Sequence, residues 1–309
     1  MVEETLKGKT ALVTGASKRI GREICLALAK EGINILIHYN NSREEAKRLH
    51  AELSDYGVDS WLIKADFENS KEYNSLISRA LKIAGSLDML VNNASVFLPG
   101  RLKQMSFEDL RLHIQVNAWV PLVLSREFAR LVKTGKIINL LDARIRGYDF
   151  LHVPYILSKH LLSILTDMMA LEFAPDITVN GIAPGLILPP PGKDKHYLEK
   201  LMHTVPLKRH GNPKDIADAV VYLLRSDFIT GQICFGVRIP GEGNIRCAGA
   251  GRGDEENQET PEYFRQPGCA SNLRHAVNPS AHASNYREMP SARGDRMPSS
   301  SSPYKSKCG

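Results

Sequence analysis

Nowhere does the sequence reach the roughly 18 consecutive apolar residues that a membrane-spanning helix needs, so a membrane protein is not expected. Charge is nearly balanced: 40 Lys+Arg stand against 34 Asp+Glu, a net of +6, with no basic block and no interleaved aromatics. That pattern argues against a nucleic-acid partner. Cysteine is scarce, and the five present (Cys25, Cys234, Cys247, Cys269 and Cys308) are odd in number and scattered. They suit neither a disulfide framework nor a CxxC metal site, so no metal is expected. The opening "MVEETLKGKTALVTG" has acids at positions 3 and 4 and an apolar run too short for a secretion signal, which points to the cytoplasm.

Apolar residues run short at one end. From 238 to 309, only Ile239, Ile245, Phe264, Leu273 and Val277 represent Ile, Leu, Val and Phe, 5 of 72 positions. Such a segment buries too little to offset ordering costs of roughly 1–2 kcal/mol per residue, so a disordered tail is expected over 238–309, after a folded domain over 1–237. The Arg-Gly-Asp triplet at 293–295 has the form of an adhesion motif, and in a low-complexity segment it reads as coincidence.

What the first part has is alternation. The short apolar runs "ALVT", "INILIHY", "WLIKAD", "DMLVNN", "KIINLL", "ITVNGIAP" and "GQICF" are separated by longer segments with apolar residues at helical spacing. In "NPKDIADAVVYLLRS", Ile216, Ala219, Val220, Leu223 and Leu224 share one face, with Asn212 placed as N-cap and Pro213 at the first helical position. Strand followed repeatedly by helix implies an α/β fold, a Rossmann-like doubly wound parallel sheet of about seven strands.

The first strand runs into "TGASKRIGREICLALAK". Gly15 permits a tight turn and Gly21 a close helix approach, and a helix beginning there offers its N-terminal amides to an anion such as a dinucleotide pyrophosphate. Cys25 reads as a buried helix residue. The second strand ends "IHYNNSREEA", with His38, Asn40, Asn41 and Ser42 and no acid before Glu44. A carboxylate there would bind an unphosphorylated ribose and repel a 2′-phosphate; neutral donors with Lys18 and Arg19 nearby suit the phosphate, and NADPH over NADH. Asp66, at the third strand end, is placed either to bond an adenine amine or to cap the next helix.

After the fifth run stands Asp142, at the carboxyl end of a strand, where ligands sit in open α/β sheets. It is either a functional acid, an exposed turn residue, or a partner of Arg144. Tyr155 and Lys159, four apart, share a helix face, so the ammonium is expected to lie near the phenol and lower its pKa.

Taken in order, "TGASKRIG", "NNA", Asn117 in "SFEDLRLHIQVNAWV", "YILSK" and "APG" at 183–185 resemble the short-chain dehydrogenase/reductase family over about residues 9–235. The resemblance implies Tyr155 as acid/base, Lys159 as its modulator and a ribose ligand, and Asn117 as support for a relay water. It also implies cofactor contacts from Gly15, Lys18, Arg19, Ile20, Gly21, Asn93, Ala94, Ser95, Pro184 and Gly185. Most members carry a serine thirteen residues before the tyrosine, where this chain has Asp142. The pteridine reductase and dihydromonapterin reductase subgroup has an aspartate there, an arginine in the glycine turn, and "NNAS" closely followed by phenylalanine, here Arg19, Ser95 and Phe97. This subgroup implies an NADPH-dependent reductase of a pterin or folate-like small molecule. Phe97 would be its aromatic plate, Ser95 and Arg19 would bond its polar edge, and Asp142 with Tyr155 would deliver the proton. The alternatives are a carbonyl or 3-oxoacyl reductase and a non-catalytic NADP(H)-binding protein. The subgroup's pattern often has His and Arg at the positions of Asn40 and Asn41. Members commonly continue the last strand into "VDGG", whereas this chain reads "GQICFGVRIPGEG", resembling a frameshifted or replaced terminus. That region commonly makes the contacts of the homo-oligomer, dimer or tetramer, that the resemblance implies.

Overall fold

The computed structural model describes residues 5–236 apart from residues 148 and 191, so the polar segment expected over 238–309 lies outside the described residues. Among the described residues, seven strands form one sheet: β1 (Thr10–Val13), β2 (Asn34–Tyr39), β3 (Ser60–Lys64), β4 (Met89–Asn92), β5 (Gly135–Leu140), β6 (Ile177–Ala183) and β7 (Ile233–Phe235). Every neighbouring pair is parallel and the order is β3-β2-β1-β4-β5-β6-β7. The order therefore reverses between β1 and β4. There the crossovers leave to opposite faces and a crevice opens beyond the carboxyl ends of the strands.

The helices are α1 (Arg19–Lys30), α2 (Arg43–Leu53), α3 (Ser70–Asn74), α4 (Leu76–Ala84), α5 (Phe107–Ile114), α6 (Val120–Val132), α7 (Val153–Glu172), α8 (Lys195–Leu201) and α9 (Pro213–Arg225). A π-helical segment, Gln115–Trp119, joins α5 to α6. The two-residue period of the strands divides the core. Ala11, Val13, Ile35 and Ile37 face one side, with Ile24 and Leu28 of α1 and Val220 and Leu224 of α9. Leu12, Leu36, Leu90 and Ile137 face the other, with Ile77 of α4, Leu124 and Phe128 of α6 and Met169 of α7. Both faces are covered, which is why the strands read as continuous apolar runs in the sequence. Cys25 is fully buried in α1, and burial pushes its thiol well up. Among the described residues, no helix is long and apolar enough to cross a membrane.

Local signals in the sequence act where they stand. Asn212 caps α9 by accepting from the Asp215 amide at 3.2 Å, and Asp215 accepts in return from the Asn212 amide at 2.9 Å, with Pro213 at the helix start. This reciprocal box satisfies two amides that a helix terminus otherwise leaves unpaired. The Asn212→Ala variant is expected to lose about 1 kcal/mol of stability, read as a lower urea midpoint with an unchanged m-value.

Candidate active site

Thr14 follows β1 and fastens the glycine turn to the end of β4. Its hydroxyl accepts from the amides of Asn93 and Ala94, at 2.9 and 3.0 Å. Asn93 answers by donating its side-chain amide to the carbonyls of Thr14 and Gly15, at 2.8 and 3.1 Å. Gly15 sits at φ +60°, and a Cβ on it would stand 2.9 Å from the Ala94 Cα. A Cβ on Gly21 would lie 2.4 Å from the Gly15 carbonyl oxygen. Glycine is needed at both positions for space, and at the first also for its conformation. Beyond the turn, α1 begins with no acid in its first turn and no side-chain cap, its amides facing the crevice unneutralised.

His38 corrects the expectation of a cofactor contact. It is buried, its Nδ1 accepts from the Gly15 amide at 3.0 Å, its Nε2 donates to the Ala65 carbonyl at 3.0 Å, and its ring stacks on Phe67 at 4.5 Å. Both ring nitrogens are used inside the protein, so His38 holds the glycine turn in place instead of facing a ligand. Burial pulls its pKa down to about 4, so it is neutral.

The other candidates at the strand ends divide. Asn40 donates to Asp66 at 3.3 Å, and Asp66 also accepts from the Glu68 amide at 2.9 Å. That carboxylate shapes its own turn, and α3 is capped by Asn69 instead. Asn41 is exposed, and Ser42 precedes α2 without using its hydroxyl to cap it. Lys18 and Arg19 are exposed at the start of α1, with Ile20 half-buried behind them. Arg19, at φ 59°, donates to the Pro189 carbonyl at 2.7 Å and so ties the glycine turn to the proline-rich loop after β6.

Asp142 leaves β5 as the cap of a short 3-10 turn, Ala143–Arg146. Its side chain is only 13% exposed, which removes the reading as an exposed turn residue. Pairing with Arg144 and engagement with Tyr155 are both present. Oδ1 accepts from the Arg144 amide at 2.9 Å and its Nε at 3.0 Å; Oδ2 accepts from Arg144 Nη2 and from the Tyr155 hydroxyl, each at 2.9 Å. Arg144 reaches on to Asp149, and Asp149 is paired with His152 Nδ1 at 3.0 Å. His152 stacks on Phe97 at 4.2 Å, and Phe97 meets Tyr155 edge-on at 4.6 Å. These contacts close into a ring. The Arg144 guanidinium also stands 5.2 Å over the half-buried Phe97, so that ring is packed against its neighbours in the site.

The proton chemistry of the ring also differs from expectation. Tyr155 is raised well above the ordinary phenol, first by burial and next by the Asp142 carboxylate. The Lys159 Nζ donates to the Leu140 carbonyl at 2.6 Å and lies 5.8 Å from the phenol ring centre. Burial brings Lys159 itself down to about 8, against the pull of Asp142. Tyr155 is thus a held proton donor with its acceptor in place. Burial works to raise Asp149, but the His152 hydrogen bond and the Arg144 charge outweigh it and hold that carboxyl at about 2.

Asn117, in the π-helical segment, spends its whole side chain on the protein. It donates to the Val96 carbonyl at 3.0 Å and Ser158 at 2.9 Å, and accepts from the Val96 amide at 2.9 Å and the Ser95 hydroxyl at 3.0 Å. Ser95 is therefore turned toward Asn117. Pro184 enters through its carbonyl, which accepts from the Ala143 amide at 2.9 Å beside Gly185. Thr14, Ser158, Asp149 and His152 carried no reading in the sequence, which offered Arg144 only as a partner of Asp142. Only the spacing of Asp149 to His152, across the turn before α7, offered a signal.

A family model described as enoyl-(acyl carrier protein) reductase matches residues 15–235. The 3-oxoacyl-[acyl-carrier-protein] reductase FabG of Staphylococcus aureus is 34% identical over 235 residues, covering 72% of this chain and 94% of that protein. The short chain dehydrogenase mdpC of Emericella nidulans is 31% identical, covering 74% and 93%. Among solved structures, FolM alternative dihydrofolate reductase 1 from Brucella suis, in complex with NADP, superposes with a TM-score of 0.71 at 29% identity, covering 74% of this chain and 94% of that one.

The neutral His38 generates a pH expectation. Its folded pKa lies below the ordinary 6.5, so its stabilising contribution is complete above that pH and is lost as pH falls toward about 4. The difference corresponds to about 3 kcal/mol. Urea unfolding across this window should show a steeper loss of stability in the wild type than in His38→Gln, and equal slopes would contradict the assignment.

Proposed function

The chain belongs to the short-chain dehydrogenase/reductase family of oxidoreductases, and from that premise we propose that it is an NADPH-dependent reductase of a pterin-type C=N bond, acting on a dihydropterin or dihydrofolate-like small molecule. The observation that carries this reading is Asp142, bonded to Tyr155 at 2.9 Å where most of the family places serine. A ketone oxygen gains negative charge as it is reduced and is best met by a neutral donor; a carboxylate beside it is repelled. A ring nitrogen that ends as N–H gives the same carboxylate a donor to hold.

The residues present fit NADPH. Gly15 and Gly21 let the turn pack closely against Ala94 and against the start of α1, and α1 presents an N-terminus free of acids to a pyrophosphate. The end of β2 has no carboxylate, and Asn41, Ser42 and the exposed Lys18 suit a 2′-phosphate. Asn93, Ala94, Pro184, Gly185 and Lys159 would border the nicotinamide end. When bound, NADPH supplies the hydride that goes to the substrate carbon. Tyr155 supplies the proton that goes to nitrogen, so the C=N π bond is replaced by one C–H and one N–H bond. Asp142 orients that hydroxyl and accepts from the reduced N–H. The pterin ring would lie at the corner formed by Phe97 and Tyr155.

A second reading, reduction of a 3-oxoacyl thioester, draws on the FabG relatives. The role of Asp142 separates the two readings. Under the pterin reading, Tyr155→Phe and Asp142→Ala should each lower dihydrobiopterin turnover by about a hundred-fold or more, with NADPH affinity retained and NADH a poorer cofactor. Unchanged turnover in Asp142→Ala would remove the acid from the mechanism.

A further inference from the structure

Arg144 belongs to none of the motifs that identify the family, yet it lies at the centre of the ring that holds Tyr155. It is a largely buried side chain, 28% exposed, between Asp142 at 13% and Asp149 at 9%. One guanidinium thus serves two carboxylates. Its far partner is anchored by backbone: Asp149 Oδ1 accepts from the amides of Leu151 at 2.9 Å and His152 at 3.0 Å, directly before the helix that carries Tyr155. Its near partner is anchored on one oxygen only. Asp142 Oδ1 keeps the Arg144 amide at 2.9 Å whatever the side chain at 144, but among the described residues, besides Tyr155, Oδ2 is bonded by the guanidinium Nη2 alone. The guanidinium is therefore what stops the carboxylate from rotating about its remaining bond and withdrawing the oxygen that receives the tyrosine hydroxyl.

We propose that Arg144 is a positioning residue: braced by Asp149, its planar two-pronged contact turns the Asp142 carboxylate so that Oδ2 meets the Tyr155 hydroxyl. The inference rests on the reading that Tyr155 and Asp142 handle the substrate proton. Planarity matters, because a guanidinium fixes both oxygens of a carboxylate at once while a lysine ammonium holds a point. Asp149 acts through Arg144. His152 acts through Asp149 and by stacking on Phe97, which sets the wall beside the phenol. Removing Arg144 also leaves the two carboxylates without their shared cation, which drives them apart and enlarges the displacement.

The test uses the full chain with NADPH and dihydrobiopterin. Arg144→Gln should lower kcat by about ten- to a hundred-fold, the scale of an ångström-sized misplacement, with KM and NADPH affinity changed by less than about threefold. Arg144→Lys should fall between Gln and the wild type. Guanidinium ion added at non-denaturing concentration should restore part of the kcat of Arg144→Ala, and none of that of Asp142→Ala. A merely structural role would lower kcat without guanidinium rescue, and that result overturns the proposal, as does a wild-type kcat in Arg144→Gln. If the wild type reduces a 3-oxoacyl thioester and no pterin, the pterin reading fails and the same variants are measured on the thioester. If it reduces neither, crystal structures of the wild type and Arg144→Gln decide: loss of the Tyr155–Asp142 hydrogen bond supports the proposal, and an unmoved Asp142 Oδ2 overturns it.

Discussion

Parallel alignment is the constraint from which the rest follows. Because every strand runs the same way, the ends of β1, β4, β5 and β6 open on one edge of the sheet, and Gly15, Asn93, Asp142 and Pro184 arrive there together although up to 169 positions separate them. The reversal between β1 and β4 keeps that edge clear of crossover helices. No single segment contains the site, and none could, since a parallel sheet requires a long connection between neighbours.

The edge is then fixed by hydrogen bonds among buried polar groups. Thr14 and Asn93 join the ends of β1 and β4, His38 joins the glycine turn to the neighbouring strand, and Asn117 joins the loop after β4 to α7 through Ser158. Behind them Asn92 donates to Asn139, and Asn139 to Thr166, linking β4, β5 and α7. Such groups are costly to bury unless paired, so they specify one arrangement strongly. The consequence is a Tyr155 whose hydroxyl has one defined acceptor before any substrate arrives.

The sheet was legible because its signals are local. A strand buried on both faces is a continuous apolar run, as in Ile35–Ile37, and an N-cap followed by proline starts a helix, as at Asn212 and Pro213. Tyr155, Lys159 and Asp142 were legible through their spacing and their place at strand and helix ends. The misreading has one cause: it concerned a side chain whose partners are remote in sequence and are backbone groups. His38 looks like a ligand donor until Gly15 and Ala65 take both nitrogens. The Lys159 ammonium stands 5.8 Å from the phenol ring centre, as its helical spacing from Tyr155 suggests, but its hydrogen bond goes to the Leu140 carbonyl. Helical spacing shows which residues share a face, but the direction of a long side chain is decided by acceptors that folding brings near.

On the proposed reading, the Asp142 carboxylate stands beside Tyr155 where most of the family has a neutral donor, and it directs reduction to a C=N bond. The most direct measurement is NADPH oxidation by the purified wild-type chain in parallel with dihydrobiopterin and an acetoacetyl thioester. The account predicts turnover with the pterin and little with the thioester. Efficient reduction of the thioester without reduction of the pterin would contradict it.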